Sequence, residues 1–288
     1  MRTFENTPYL SPVGFERAKA ALSGTRFADL RWVGSTGSTN ADLAAVARDG
    51  GGECALVADH QSAGRGRLDR RWDAPPGASL LMSVLVRPPF PATGPTLLPM
   101  ALGVAVVDAI DELAGVRVGL KWPNDVVSLP GPHGPAHRKL GGMLAEVVQP
   151  AGGVQGGGGG LGDAAVVLGI GLNLSWPDGF PDELADTATS VDLLGGRPVA
   201  REDLAVRLLA ALDLTGDLAY SAVACELLTE RYRERCTTLG QRVRVELAGG
   251  ALIGTATTVT PDGALVVLDD DGTSHTVTAG DVVHLRPS

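Results

Sequence analysis

At Gly240 the sequence changes texture, and the change divides the chain into two folding problems. Downstream, short apolar stretches at 242–247, 254–260, 265–268 and 274–277 read as strands. Gly249-Gly250, Pro261-Asp262-Gly263 and Asp270-Asp271-Gly272 separate them, and these residue types form turns. About 50 residues of short strands and tight turns predict a small separate β-barrel.

Upstream, strands are expected at 30–33, 54–59, 79–86, 116–121, 139–148 and 164–174. Helices are expected at 41–49, at 96–113 and over 201–235, the last broken near Gly216. A lead-in over 1–30 contains one short helix, marked by Ser11-Pro12 followed by Phe15, Ala18 and Leu22. Helices and strands mix without a regular βαβ repeat, so the large domain is α+β and not a doubly wound sheet. With aromatics at only 4%, Val, Leu, Ala and Ile must fill the core.

Several function classes are disfavoured. A net charge of −9 is wrong for a general nucleic-acid binder, which needs clustered Lys and Arg. Cys54, Cys225 and Cys236 are odd in number and far apart, with no CxxC, so they read as buried thiols. The first ten residues lack a basic-then-apolar signal pattern, and no apolar run approaches the roughly 18–20 residues of a membrane span. The expectation is a cytoplasmic protein with no membrane partner.

Polar segments at strand ends carry the candidate chemistry. Ser38-Thr39-Asn40 opens a helix, with Thr39 and Asp42 spaced as a capping box and Gly50 to Gly52 ending it. Free N–H groups at such a terminus hold ligand oxygens. The loop 61–72 holds Gln61, Gly64 and Gly66, with Arg65, Arg67, Arg70 and Arg71 inside seven residues, and ends on Trp72. Guanidinium forks match carboxylate and phosphate oxygens. Lys121-Trp122-Pro123-Asn124-Asp125 follows a strand, and Lys139 precedes an apolar one, where an unpartnered charge is costly. Taken singly, each segment also has a plain structural reading: a cap, a solvated basic loop, a turn, a strand start. The glycine run 152–162 lacks the GxxxxGK[ST] pattern and reads as a surface insert.

Together, Ser38-Thr39-Asn40, Gly64-Arg65-Gly66-Arg67 with Trp72, Lys121 to Asp125, Lys139-Leu140-Gly141-Gly142 and Gly169-Ile170-Gly171-Leu172-Asn173 resemble the biotin protein ligases in order and spacing. The likeness runs from about Val33 to the C-terminus and is to the short, monofunctional members. It implies a catalytic domain related to class II aminoacyl-tRNA synthetases over 1–238, with a mixed sheet and flanking helices, and an SH3-like barrel over 239–288. It implies formation of biotinyl-5'-AMP from biotin and Mg-ATP. Biotin then passes to a lysine of the biotin carboxyl carrier domain of an acyl-CoA carboxylase, and AMP is released.

By the same resemblance, Ser38, Thr39, Asn40, Gln61, Gly64, Arg65, Gly66, Arg67 and Lys139 take biotin. Arg67, Arg70, Trp72, Asn124, Asp125, Lys139 and Asn173 surround ATP. Lys139 and Arg67 are the expected catalytic cations, and Asp125 is the candidate to position Mg²⁺. The loop 64–72 is expected to be mobile without ligand and to close over the intermediate, with Asp69 pairing with Arg70 or Arg71. The longer members carry a winged helix of about 60 residues. Only 37 residues precede Ser38, so no operator binding is expected. Segments 130–138 and 152–162 should be surface loops. Two rivals remain: a lipoate or octanoate ligase on the same fold, and a nucleic-acid-binding module using the Arg loop and barrel.

Overall fold

The computed structural model describes residues 12–87, 97–132, 134–149, 164–176, 178–218, 222–247, 250–278 and 280–285. The glycine insert 152–162 lies outside them. The first domain runs α1 (Pro12–Ala21), β1 (Leu30–Val33), α2 (Thr39–Arg48), β2 (Cys54–Ala58), β3 (Ser79–Val86), α3 (Leu97–Ala114) and β4 (Val118–Lys121). It continues through β5 (Asp125–Ser128), β6 (Lys139–Val148), β7 (Ala165–Asn173), α4 (Arg201–Leu218) and α5 (Ala222–Arg235). Its seven strands form one sheet in the order β1-β2-β3-β7-β6-β5-β4. Only β1 and β2 pair in parallel, which bears out the mixed α+β expectation.

Period-two alternation decides what each face of the sheet does. On one face, Leu80, Met82 and Val84 of β3 and Leu168, Ile170 and Leu172 of β7 join α3 and α4 in the main core. Each fully buried side chain of this kind contributes about 1.5–3 kcal/mol. On the other face, Leu56, Leu85 and Val167 pack under Leu43, Ala44 and Ala47 of α2. Helix α2 covers only one end. Along β7 that face continues as Gly169, Gly171 and Asn173, which floor a cavity.

Three expectations need correction. The cap of α2 is Ser38, not Thr39: the Ser38 side chain accepts from Ala41 N–H, and Asp42 is drawn instead to the Thr36 hydroxyl. The one-residue shift leaves Thr39 and Asn40 free to point inward. The span 201–235 is two helices, as expected, but α4 runs past Gly216 to Leu218 and α5 begins at Ala222, because a single glycine costs a helix only about 1 kcal/mol. Strand β5 was not anticipated, being four residues long and next to a turn-forming segment.

The second unit is an antiparallel sheet of β8 (Arg242–Leu247), β9 (Gly250–Val259), β10 (Leu265–Leu268), β11 (Ser274–Val277) and β12 (Asp281–His284). Its order is β11-β10-β9-β8-β12, and β12 was also missed from sequence. Inward Val243, Val245, Ala256, Leu265, Val267 and Val282 are buried and continuous with the main core. Trp122 fixes the junction. The residue is 3% exposed, its Nε1 donates to Gly263 O at 3.0 Å, and its main-chain N–H donates to Thr238 Oγ1 at 3.1 Å. The three cysteines are buried, as expected. No helix among the described residues is long and apolar enough to cross a membrane.

Candidate active site

The cavity on the uncovered part of the sheet holds about 380 Å³. Glycine makes its floor. Gly142 of β6 and Gly171 of β7 are cross-strand partners, and Gly169 lies two residues away. A Cβ on Gly169 would stand 2.0 Å from Asn40 Oδ1, and one on Gly171 would stand 2.4 Å from the Trp72 ring. The side chains above the sheet therefore rest directly on main chain.

A β-bulge aims Lys139. Val126 of β5 pairs with Gly141 and Val127 with Lys139, so Leu140 is the extra residue. Leu140 stays in the core, fully buried, while the strand's alternation resets and turns Lys139 into the cavity. Bulges re-aim side chains in this way beside active sites. Lys139 Nζ lies 2.6 Å from Asp125 Oδ1 and 5.8 Å from the centroid of the Trp72 ring. Its half-buried charge is met by a carboxylate and an aromatic face.

One end of the cavity is a polar cluster at the start of α2. Thr39 donates from N–H (2.7 Å) and hydroxyl (3.0 Å) to Gln61 Oε1. Ser83 Oγ lies 2.7 Å from Thr39 Oγ1 and 2.6 Å from Asn40 Oδ1. Asn40 Nδ2 donates to Glu146 Oε2 at 2.7 Å, and Glu146 also pairs with Arg65 at 3.2 Å. The network fixes both amide orientations, leaving Gln61 with an N–H₂ group to offer a ligand.

The roof is the arginine loop, which closes on itself as a hairpin. Trp72 N–H donates to Gly64 O, and Gly66 N–H to Arg70 O. The tip residues Leu68 and Asp69 have φ of 55° and 57°, and Arg70 N–H donates across them to Arg67 O, as in a type I′ turn. A Cβ on Gly64 would meet Trp72 O at 2.3 Å, so glycine is required where the two arms touch. Asp69 makes neither expected pairing: Arg70 turns to Asp281 of β12, and Arg71 donates to Ser62 O at 3.0 Å. Arg67 donates to Asn124 Oδ1 and to Gly280 O, both at 3.2 Å. Burial holds its pKa below the ordinary guanidinium value, against the pull of Asp281 and Asp125.

The far end is apolar. Trp176 stacks on Phe180 with ring centroids 4.1 Å apart, beside Leu184 and Ala188. Trp72 Nε1 and Trp176 Nε1 are buried donors with no acceptor among the described residues. Asn173 is held by Ser79 at 3.0 Å and Thr189 O at 3.1 Å, so it shapes the wall more than it reaches inward.

Of the residues that the resemblance assigns to biotin or ATP, all but Gly64 line this one cavity, whereas Lys121 of the same polar segments does not. Sequence reasoning missed Asp281, Trp176, Phe180 and Glu146 as site-forming residues. Trp176 had a signal, lying three residues beyond the Gly169 to Asn173 segment; Asp281 had none. Five lining cations (Arg65, Arg67, Arg70, Arg71, Lys139) face three lining carboxylates (Asp73, Asp125, Asp281), so the cavity is positive inside an acidic protein. Such a pocket suits one or more elongated anions. Among the described residues no three His, Cys, Asp or Glu side chains converge as a metal cluster.

Known proteins resemble this chain along most of its length. Residues 51–161 match the biotin/lipoate A/B protein ligase family, and residues 238–285 match the biotin protein ligase C-terminal domain. The biotin--[acetyl-CoA-carboxylase] ligase of Mycobacterium tuberculosis is 41% identical over 273 residues, 92% of each chain. The bifunctional ligase/repressor BirA of Bacillus subtilis is 30% identical over 75% of this chain and 62% of its own. A solved biotin protein ligase from Aquifex aeolicus, in complex with biotin and ATP, superposes with a TM-score of 0.71. It is 25% identical and covers 91% of this chain and 100% of its own. Likeness along nine-tenths of both chains, joined to a fold shared over 91% of this one, makes this protein a member of the biotin protein ligase family.

Proposed function

We propose that the chain is an ATP-dependent biotin protein ligase that makes biotinyl-5'-AMP and transfers biotin to a lysine of a carboxylase carrier domain. One observation carries the reading: a hydrogen-bonding cluster, a glycine floor and a bulge-aimed lysine share one positive cavity. The Ser38 to Asn40 cluster with Gln61 suits a small polar ring. The glycine floor suits the chain leading from it. Lys139 and Arg67 then meet the carboxylate, and the Trp176–Phe180 end beside Asn173 suits a flat heterocycle. Whole-chain likeness to biotin ligases favours biotin over lipoate or octanoate. We read the protein as cytoplasmic, with residues 1–238 as the catalytic unit and 239–288 as the barrel.

In the first step a biotin carboxylate oxygen attacks the α-phosphorus. The bond to the β-phosphate oxygen breaks, and pyrophosphate leaves. Two anions meet, so fixed cations at the point of contact lower the barrier. Lys139 and Arg67 take that role, and Asp125 holds Lys139 in place. In the second step the neutral amine of the carrier lysine attacks the acyl carbon, and AMP leaves. The arginine hairpin and Trp72 keep water from the mixed anhydride. The sparse donor set fits a Mg²⁺ that arrives on the nucleotide and keeps most of its waters, with Asp125 offering one carboxylate. It would supply neutralisation of the phosphate charge.

The test is intact mass spectrometry of a biotin carrier domain after incubation with the protein, Mg-ATP and biotin, with lipoate in parallel. One biotinyl group per domain, dependent on ATP, is expected. Lys139→Ala should slow its appearance by about 10²-fold, the effect of removing one preorganised charge-stabilising group. A lipoyl adduct alone, or no adduct, would overturn the reading.

A further inference from the structure

The arginine hairpin is tied to the other unit through two consecutive residues. Arg67 donates to the carbonyl of Gly280, and Arg70 is ion-paired with Asp281. Both acceptors are rigidly placed. Asp281 opens β12 in register with Glu246 of β8. A Cβ on Gly280 would meet Val245 Cγ1 at 2.7 Å and Glu246 O at 3.2 Å, so that main chain is packed flat on β8. Within the hairpin, charge crowding and backbone strain oppose the main-chain bonds that close it. Four cations crowd seven residues, and Leu68 occupies a left-handed conformation that disfavours side chains with a Cβ. Asp281 also lines the cavity, so its carboxylate holds the Arg70 guanidinium at the mouth.

We propose that Gly280 and Asp281 are a docking point on the C-terminal unit for the arginine hairpin, with Asp281 as a positioning residue for Arg70. The docking favours the closed position of a mobile hairpin, adding to it before ligand binds and holding it over the cavity while the acyl-adenylate waits for the carrier. The second part rests on the ligase reading above. The C-terminal unit thus contributes to the site through the roof, although most of it lies away from the cavity.

Asp281→Asn in the full chain keeps the shape and removes the charge; Asp281→Glu restores it. Trypsin reads the hairpin directly, since Arg65, Arg67, Arg70 and Arg71 are all cleavage sites. Without ligand, Asp281→Asn should be cut within 64–72 about two- to fivefold faster than wild type, the scale of one partly exposed ion pair. In the reaction, it should release more AMP per biotinyl group transferred, as intermediate escapes to water. Asp281→Glu should return both readouts towards wild type. A merely structural role would shift the melting temperature and leave the AMP-to-biotinyl ratio alone. Wild-type cleavage together with a wild-type ratio in Asp281→Asn overturns the proposal, as does Asp281→Glu behaving like Asp281→Asn. Should the wild-type protein transfer no biotin, the ligase reading fails, and the ligand-free cleavage rates alone decide the docking.

Discussion

A single methyl group placed on the cavity floor should separate fold from catalysis. In Gly171→Ala the new Cβ would lie 2.4, 2.6 and 2.8 Å from three atoms of the Trp72 ring. The nearest ordinary carbon contact is about 3.5 Å. The ring must therefore rise by about 1 Å, and it is rigid, so it cannot fold aside. Trp72 is tied to Gly64 by its N–H, and the ring lies beside Lys139, so roof and cation shift with it. A misplacement of about 1 Å costs on the order of 10²-fold in rate. The fold loses less, because Trp72 sits at the rim and the strain is relieved by moving a loop; overpacking at a yielding site costs about 1 kcal/mol. Biotin-dependent ATP–pyrophosphate exchange measures the first step, and a thermal melt measures the fold. The double variant Gly171→Ala/Trp72→Ala should match Trp72→Ala alone, since the clash has gone. Exchange at the wild-type rate in Gly171→Ala would refute the argument. So would additive losses in the double variant.

Other outcomes follow from the same geometry. Trp122→Ala should cost about 3–5 kcal/mol in a chemical melt, because it empties the junction between the two sheets and removes the bond to Gly263; a loss below about 1 kcal/mol would count against Trp122 as the fastening. Burial, with His137 and Lys121 nearby, pushes His284 down to about 4 from the ordinary 6.5. Between those values the unfolded chain holds a proton that the folded one refuses, so stability should fall as pH drops from 6.5 towards 4. His284→Gln should flatten that slope in melts at about pH 7 and about pH 5. Biotin with Mg-ATP should slow tryptic cleavage within 64–72, and an unchanged rate would remove the hairpin's role as a cover.

The parts of the site legible in sequence were those in which one short segment does a whole job. Ser38 to Asn40 announces a helix start, and the arginine run announces an anion site whatever surrounds it. Lys139 was legible as a misfit, a charge entering an apolar strand, but the bulge that resolves the misfit depends on the partner strand. Asp281 was invisible because its meaning comes from Arg70, 211 residues earlier in the chain. Strands β5 and β12 escaped for a related reason. Length alone is not the reason, since β1, β10 and β11 are as short and were expected; β5 follows Pro123-Asn124 and β12 follows Gly280, and pairing with β6 and β8 is what makes them strands. Ser38 caps the helix in place of Thr39, whose hydroxyl accepts from Ser83 and donates to Gln61 Oε1, partners that local pattern does not contain.

The glycine floor also bears on how such a site could diverge. Its depth is set by bare main chain, with Gly142 opposite Gly171, and not by any side chain that drift might trim or enlarge. Nearly every substitution there fills the trench, so selection has almost nothing intermediate to act upon. Preference for a neighbouring acid would have to arise at the ends and in the roof, where Gln61, Trp176 and the hairpin tip each tolerate graded change. The width of the bound chain would stay an inherited constant, and its head group and tail would be the heritable variables.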